Sequence, residues 1–274
     1  MDEINNERPI GVFDSGLGGL TVVRELLRAL PGEDIVYFGD TGRVPYGMRG
    51  AKTIERYARQ DERFLLLKGV KIIIAACGTV SSVAPHTGEE LPVKFIEVVG
   101  PAARQAARVT QTGRIGVIGT RATISSGAYL RRLKAIDSGL EVFEQACPLF
   151  VPLVEAGWTA PEDPVTRPAA ERYLEPLKEK RVDTLILGCT HYPILQEMIG
   201  SVMGPDCRLV NVGHAAATAA VEYLCENNLL NPRRTGGKCS FYESDRTDDF
   251  RTLASTFLGR DVRADVEYVE IDAL

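Results

Sequence analysis

The chain has 274 residues, of which 45% are hydrophobic and 25% charged, a composition typical of a globular protein with one large or two small domains. Its net charge of −5 at pH 7 argues against nucleic acid or an anionic membrane surface as a partner. The N-terminal segment is polar and acidic, and no apolar run approaches the roughly 18 residues of a membrane span, so we expect a cytoplasmic protein.

The first predicted strand, residues 10–13, leads into a glycine-rich loop and then a helix over residues 20–30. The glycines miss the dinucleotide-binding fingerprint, whose third glycine would fall at Thr21. Two interpretations of this loop stay open. Either Asp14 and Ser15 face a ligand cleft, or the loop is a simple turn in which Asp14 caps the helix.

A second strand over residues 35–38 is followed by a loop, residues 39–47, that contains three glycines and a proline. Shaped surface loops of this kind often carry function. Tyr46 and Gly47 could offer a hydroxyl and a backbone N–H to a ligand, although a Pro-Tyr-Gly turn is also a common structural feature. A helix is predicted over residues 51–68, and its charged residues are interpreted as a solvent-exposed face: Arg56, Arg59, Asp61, Glu62 and Arg63.

Two cysteines lie at the ends of predicted buried strands. The β-branched run over residues 70–76 ends at Cys77, which is followed by Gly78 and Thr79, and a second such run ends just before Cys189. Open α/β sheets bind their ligands at the carboxyl ends of strands. Both thiols are therefore candidate site residues.

The second half repeats the alternation of strands and helices. Strands are predicted over residues 114–118, 140–144, 183–187 and 208–212, with helices over residues 125–133, 168–180 and 215–227. Thr123 lies in the loop after the first of these strands. Glu155 is the one acid in a mostly apolar segment, and it is either a turn cap or a cleft residue.

The repeated strand-loop units, at nearly one offset along the chain, predict two similar halves. We expect an α/β fold with two pseudo-symmetric domains, mainly parallel sheets and an active site in the cleft between them. Residues 101–211 form the second domain. The elements after residue 212 exceed what that domain needs, so the first domain comprises residues 1–100 together with 212–274.

If the two halves face each other, the two strand-end thiols point into one cleft from opposite sides. That arrangement suits a reaction in which one thiol removes a proton from a carbon and the other returns a proton to the opposite face of that carbon. A structural role for Cys77 and Cys189 is the alternative, since buried cysteine usually acts as a small hydrophobe. A free thiol titrates near pH 8.5, so a working base needs help from helix N–H groups or a neighbour. Thr79 and Thr190 could hold a substrate carboxylate.

His191 follows Cys189 closely and could tune the thiol or act as its acid-base partner; an ordinary hydrogen-bonded histidine is the alternative. The sequence contains no C-x-x-C pair, and we interpret the remaining cysteines as reduced and structural: Cys147, Cys207, Cys225 and Cys239. Without a pyridoxal-type lysine or a metal-ligand cluster, we predict neither a cofactor nor a metal.

Six motifs, in one order, resemble those of the bacterial glutamate racemases in the cofactor-independent aspartate/glutamate racemase superfamily. They begin at Asp14-Ser15, Pro45-Tyr46-Gly47, Ala76-Cys77, Gly119-Thr120-x-x-Thr123, Pro152-Leu153-Val154-Glu155 and Gly188-Cys189-Thr190-His191. The resemblance covers nearly the whole chain. It implies a two-domain homodimer that supplies D-glutamate for peptidoglycan.

The resemblance also implies roles for particular residues. Cys77 and Cys189 would be the two catalytic acid/bases, with Asp14 linked to the first thiol and Glu155 and His191 near the second. Substrate contacts would come from Asp14, Ser15, Tyr46, Gly47, Gly78, Thr79, Thr123, Thr190 and His191.

The chain departs from the family at one motif, where Gly78 stands in place of the usual asparagine and Val80 in place of alanine. Gly78 keeps a backbone N–H but lacks the amide that would bond the substrate. The change at Gly78 keeps a related aspartate or hydantoin racemase open as an alternative. The other two alternatives are an inactive amino-acid-binding homologue and a thiol redox protein, which would need the Cα atoms of the two cysteines within about 7 Å.

Overall fold

The computed structural model describes residues 4–246, 250–259 and 266–273. Its strands are β1 (Ile10–Asp14), β2 (Ile35–Gly39), β3 (Ile72–Ala75), β4 (Lys94–Glu97), β5 (Arg114–Gly119), β6 (Glu141–Ala146), β7 (Thr184–Leu187), β8 (Arg208–Asn211), β9 (Cys239–Glu243) and β10 (Val266–Tyr268). They form a six-stranded sheet in the order β10-β9-β2-β1-β3-β4 and a four-stranded sheet in the order β6-β5-β7-β8.

The α-helices follow the strands along the chain. They are α1 (Leu20–Ala29), α2 (Ala51–Leu67), α3 (Gly78–Val83), α4 (Val99–Val109), α5 (Arg121–Ser126), α6 (Ala128–Ile136), α7 (Phe150–Glu155), α8 (Thr166–Glu179), α9 (Gln196–Met203), α10 (Val212–Glu226) and α11 (Phe250–Leu258). Short 3-10 helices cover Thr41–Arg43, Tyr46–Met48, Pro85–Glu90, Tyr192–Leu195 and Ile271–Ala273.

The two sheets share one topology. Every strand pairing among the described residues is parallel, and the order β2-β1-β3-β4 recurs as β6-β5-β7-β8. After β8 the chain returns to the first sheet, where β9 pairs with β2 and β10 with β9. The predicted fold class, two similar α/β halves with parallel sheets, is confirmed.

The strand order explains where a site can form. In each sheet the chain leaves the central strand on one side and returns on the other, so a switch point lies between β1 and β3 and between β5 and β7. Ligands of open α/β sheets bind outside the carboxyl ends of strands at such points. Asp14 ends β1, Cys77 follows β3 and Cys189 follows β7.

The central strands are buried along their whole length, which explains their continuous apolar sequence. Every residue of β1, β2, β3 and β7 is buried, because helices cover both faces of a parallel sheet. The outer strands β4 and β8 are partly exposed. None of the helices within the described residues is long and apolar enough to cross a bilayer.

Two differences from the sequence predictions have a clear physical cause. The sequence predicts a strand over residues 93–99, but β4 ends at Glu97, whose carboxylate accepts the N–H groups of Val99 (2.5 Å) and Gly100 (2.8 Å) at the start of α4. Pro101 suits that first turn because it needs no N–H partner there. The single helix expected over residues 125–133 is instead α5 and α6, divided at Gly127, where φ is +62°.

Candidate active site

The first thiol lies at the end of β3. Cys77 directly precedes α3, is 3% exposed, and its thiol donates to the Ser15 hydroxyl at 3.4 Å. Burial, reinforced by the nearby Asp14 carboxylate, raises the pKa of the Cys77 thiol to about 12, against the effect of the Ser15 hydrogen bond. At neutral pH this thiol therefore holds its proton.

Asp14 makes the capping contact that one of the two interpretations of its loop expects. It is buried, and its Oδ2 accepts the Gly19 N–H at 2.9 Å just before α1 begins, so it does cap the chain there. Burial raises the pKa of the Asp14 carboxyl, although the charge of His191 and backbone N–H groups oppose the rise. The Asp14 carboxylate therefore interacts electrostatically with both Cys77 and His191.

The second thiol lies at the end of β7 beside an imidazole. Cys189 is 7% exposed, and its Sγ is 3.9 Å from Nδ1 of His191. The other ring nitrogen, Nε2, is 3.1 Å from Oε1 of Glu155, which ends α7. Thiol, imidazole and carboxylate thus form a chain from the buried strand end to the half-exposed Glu155.

The His191 imidazole is held in its protonated form. Burial alone would lower its pKa, but the hydrogen bonds to Cys189 and Glu155, with their negative charge, raise the pKa of His191 to about 10. An imidazolium at neutral pH places a positive charge next to the Cys189 sulfur.

The loops that carry the two thiols are in contact. A Cβ added at Gly78 would lie 3.0 Å from the Gly188 carbonyl oxygen, 3.8 Å from Thr123 Oγ1 and 4.0 Å from Cys189 Cα. Gly78 therefore touches the strand end that carries Cys189, and a side chain there would require the Gly188 carbonyl to give way by a few tenths of an ångström.

Backbone and hydroxyl groups surround these loops. A Cβ on Gly47 would lie 3.8 Å from Thr79 Oγ1, so Gly47 faces the Cys77 loop. Thr79, Thr123 and Thr190 are all buried, and Thr123 Oγ1 lies 3.0 Å from Thr120 Oγ1. Hydroxyl and N–H groups of this kind can bind carboxylates.

The expectation that Tyr46 offers its hydroxyl to a ligand is wrong. That hydroxyl is buried and donates to Asp40 Oδ2, and it also lies 3.0 Å from Asp61 Oδ2. Since the hydroxyl is engaged with two carboxylates, only the Tyr46 backbone remains for a ligand.

Asp61 and Glu62 were predicted on a solvent-exposed face, yet they are 0% and 1% exposed.

A buried ionic network holds the loop that carries Gly47, and sequence reasoning missed it. Arg43 Nε donates to Asp40 Oδ2 at 2.7 Å, and its Nη2 donates to Asp61 Oδ1 at 3.1 Å. The guanidinium also lies 4.1 Å from the ring centroid of Tyr57. Burial, with the charge of Asp40, raises the pKa of the Asp61 carboxyl well above its usual range. Nothing in the helical pattern of α2 separates Asp61 from its solvated neighbours.

Comparison with known proteins adds to this geometry. The family model for Asp/Glu/Hydantoin racemase matches residues 10–220. The glutamate racemase of Syntrophus aciditrophicus is 47% identical over 264 residues, which span 96% of this chain and 97% of the relative. This chain belongs to the Asp/Glu/Hydantoin racemase family.

Solved structures agree with the family membership. Glutamate racemase from Francisella tularensis, in complex with D-glutamate, has a TM-score of 0.90 at 36% identity and covers 98% of this chain and 100% of its own. Glutamate racemase from Thermus thermophilus, in complex with β-chloro-D-alanine, has a TM-score of 0.87 at 43% identity, with coverage of 98% and 100%.

All six cysteines lie in the described part of the chain, and none of them forms a disulfide bond: Cys77, Cys147, Cys189, Cys207, Cys225 and Cys239. Burial raises the pKa of Cys147, whose backbone carbonyl accepts the Tyr192 hydroxyl at 2.8 Å, and burial also raises the pKa of Cys207 to about 12. Among the described residues, no group of three or more His, Cys, Asp or Glu side chains is arranged to hold a metal ion.

The Glu155→Gln substitution is expected to lower the pKa of His191 from about 10 toward 6.5, because it removes the carboxylate that helps hold the proton. The sign follows from linkage: stability from the His191 proton is complete below about pH 6.5 and is lost as pH rises through about 10. In the variant the folded-state pKa of His191 is lower, so this stability is lost at a lower pH. The measurement is the NMR titration of the ring protons.

This titration is well resolved because the chain has three histidines, and His86→Gln and His214→Gln variants assign the other two signals. A wild-type His191 that titrates below 6.5 would contradict the electrostatic picture of the site.

Proposed function

We propose that this chain is a glutamate racemase that interconverts L- and D-glutamate without a cofactor and supplies D-glutamate for peptidoglycan synthesis. The observation that carries the proposal is the contact between the Cys77 and Cys189 loops at two equivalent strand ends. The family match, and relatives named glutamate racemase at 43–47% identity over nearly the full chain, support the choice of substrate.

The two thiols transfer the α-proton. For one enantiomer, Cys189 as the thiolate takes the proton from Cα while Cys77, protonated at rest, donates its own proton to the opposite face. Afterwards Cys189 carries a proton and Cys77 is the thiolate, which is the starting state for the other enantiomer. Charge is conserved because one proton leaves the carbon and one arrives.

The neighbours of each thiol assist the transfer. The His191 imidazolium, 3.9 Å away, balances negative charge on Cys189, and Glu155 holds the imidazolium in turn. The Ser15 hydroxyl and the backbone N–H of Val80 act on Cys77 and counter the effects of burial and of Asp14.

The substrate is held by short polar groups around the thiols. Its α-carboxylate must be bound firmly, since negative charge develops toward it once the α-proton leaves. Each hydrogen bond to such a charged group contributes about 1.5–3 kcal/mol. The proposed contacts are Asp14, Ser15, Thr79, Thr123, Thr190 and His191, with backbone groups of Tyr46, Gly47 and Gly78.

We place each thiol in its own domain, Cys77 in residues 1–100 with 212–274 and Cys189 in residues 101–211. We also propose a cytoplasmic homodimer, as the resemblance to the family implies. Exposed Met48, Leu149 and Trp158 offer apolar surface for association. Light scattering on purified protein should give twice the mass of the chain.

The activity is tested by the circular-dichroism signal of L-glutamate, and separately of D-glutamate, with purified protein and no added cofactor. Decay to zero from both sides is the expected result. Decay with aspartate but not glutamate would show that Gly78 marks a changed substrate, and no decay with either amino acid would overturn the proposal.

A further inference from the structure

The imidazole beside Cys189 is held by residues of the opposite half of the molecule. A Cβ added at Gly18, in the loop between β1 and α1, would lie 2.5 Å from both Cε1 and Nδ1 of His191. On another side, the Phe257 ring meets the imidazole edge to face, with centroids 5.1 Å apart and planes at 84°. His191 follows β7 of the second sheet, whereas Gly18 follows β1 of the first.

A backbone link accompanies these ring contacts. The hydroxyl of Thr21, fully buried in the first turn of α1, lies 2.8 Å from the Thr190 carbonyl and 2.9 Å from the Gly18 carbonyl, and can donate to either. The residue before His191 is therefore tied to the same loop that touches its ring. Phe257 lies in α11, which packs on α1.

We propose that Gly18 and Phe257 are positioning residues for His191, and that they keep Nδ1 directed at the Cys189 thiol. This inference rests on the proposed function, in which Cys189 exchanges the α-proton. A ring left without these neighbours could rotate away from a sulfur 3.9 Å distant, while the Glu155 contact holds only one nitrogen.

The two thiols differ in this respect. Cys77 finds its partner Ser15 at the end of β1, the strand beside its own in the first sheet. Cys189 depends on an imidazole that the first sheet's loop and helix hold in place. Proton transfer at Cys189 therefore requires contact between the two halves. Loss of the contacts that hold the His191 ring should slow proton transfer at Cys189 and leave proton transfer at Cys77 unchanged.

The test is a comparison of Phe257→Leu with Phe250→Leu. Both phenylalanines lie in α11 and are buried, at 1% and 3% exposure, but Phe250 packs on Phe241 at 6.3 Å between centroids instead of on His191. The two variants lose the same atoms from one helix. We expect kcat/KM to fall by about 10- to 100-fold in Phe257→Leu, the scale of a catalytic group displaced by about 1 Å, and to change little in Phe250→Leu.

The decisive readout is the primary isotope effect on kcat/KM with α-deuterated L- and D-glutamate. Slower proton transfer at Cys189 makes that step more rate-limiting in Phe257→Leu. The isotope effect should therefore rise for the enantiomer whose α-proton Cys189 removes, and fall for the enantiomer whose α-proton Cys77 removes. General damage to the fold would change neither. Gly18→Ala should also give opposed shifts, but its Cβ would lie 2.5 Å from Thr190 Oγ1 as well as from His191, so Phe257→Leu is the deciding variant.

A His191→Gln variant distinguishes the role of His191 itself from its positioning by Gly18 and Phe257. If it leaves both isotope effects at their wild-type values, the proposed role of His191 itself fails. If it gives opposed shifts while Phe257→Leu behaves like Phe250→Leu, the positioning inference is overturned and the role of His191 stands.

Discussion

Replacement of either Cys77 or Cys189 by serine is expected to lower kcat for glutamate racemisation by about 10⁴-fold, the upper range for loss of a general acid or base. The fall should occur in both directions, since each thiol acts once in every turnover. Circular dichroism of L- and D-glutamate with each purified variant measures it.

The physical reason is the acidity of the replaced group. A serine hydroxyl is a much weaker acid than a thiol and cannot form a useful anion at neutral pH. The pKa of the Cys77 thiol is already raised to about 12 by burial and by Asp14, so an alcohol in the same surroundings would ionise even less. At Cys189 the His191 imidazolium would face a hydroxyl that holds its proton.

Cys225→Ser is the matched control, because Cys225 is an exposed free thiol in α10 and has no part in the proposed site. It should keep wild-type turnover. Full turnover in either direction by Cys77→Ser or Cys189→Ser would refute the two-thiol mechanism.

Lys71→Met is expected to destabilise the folded chain by about 3–5 kcal/mol, the usual cost of removing one partner from a buried ion pair. The Lys71 ammonium is fully buried and lies 2.6 Å from Glu33 Oε2. It also donates to the carbonyls of Asn6 and Leu229, both at 2.8 Å. Urea unfolding followed by circular dichroism measures the change.

The effect is large because the Lys71 ammonium links three segments of the chain, which contain Asn6, Glu33 and Leu229. The same Glu33 carboxylate accepts the Asn231 N–H at 2.7 Å through its other oxygen. Loss of the lysine leaves a buried carboxylate and two carbonyls without their cation. A double variant, Lys71→Met with Glu33→Gln, removes the stranded charge but keeps an acceptor for Asn231, so it should recover part of the stability. A loss below about 1 kcal/mol in the single variant would contradict a paired, buried Lys71.

The local pattern of the sequence was enough to predict the two buried strands that end at the site thiols. Continuous β-branched runs before Cys77 and Cys189 indicate strands buried on both faces, and the structure has β3 and β7 there. The repeat of these runs also predicted two similar parallel sheets. Gly127 was harder, because a glycine inside a helical pattern can either continue or divide a helix, and here its positive φ divides it.

Residues whose role depends on tertiary packing could not be predicted. Asp61 and Glu62 have the spacing of a solvated helix face, but both are buried. Asp61 accepts a hydrogen bond from Arg43 at 3.1 Å, and Glu62 accepts one from Thr87 at 2.5 Å. Phe257 has the pattern of an ordinary core residue in α11. Only the fold brings it to His191, which is distant from it in the chain.

The most direct test of the two-thiol account is deuterium incorporation at Cα during the first turnovers in D₂O, with each enantiomer of glutamate in turn. The account predicts that the product enantiomer carries deuterium while the remaining substrate keeps its original α-proton, because different thiols serve the two faces. Deuterium in the remaining substrate, appearing as fast as racemisation, would show that one base serves both faces and would contradict the account.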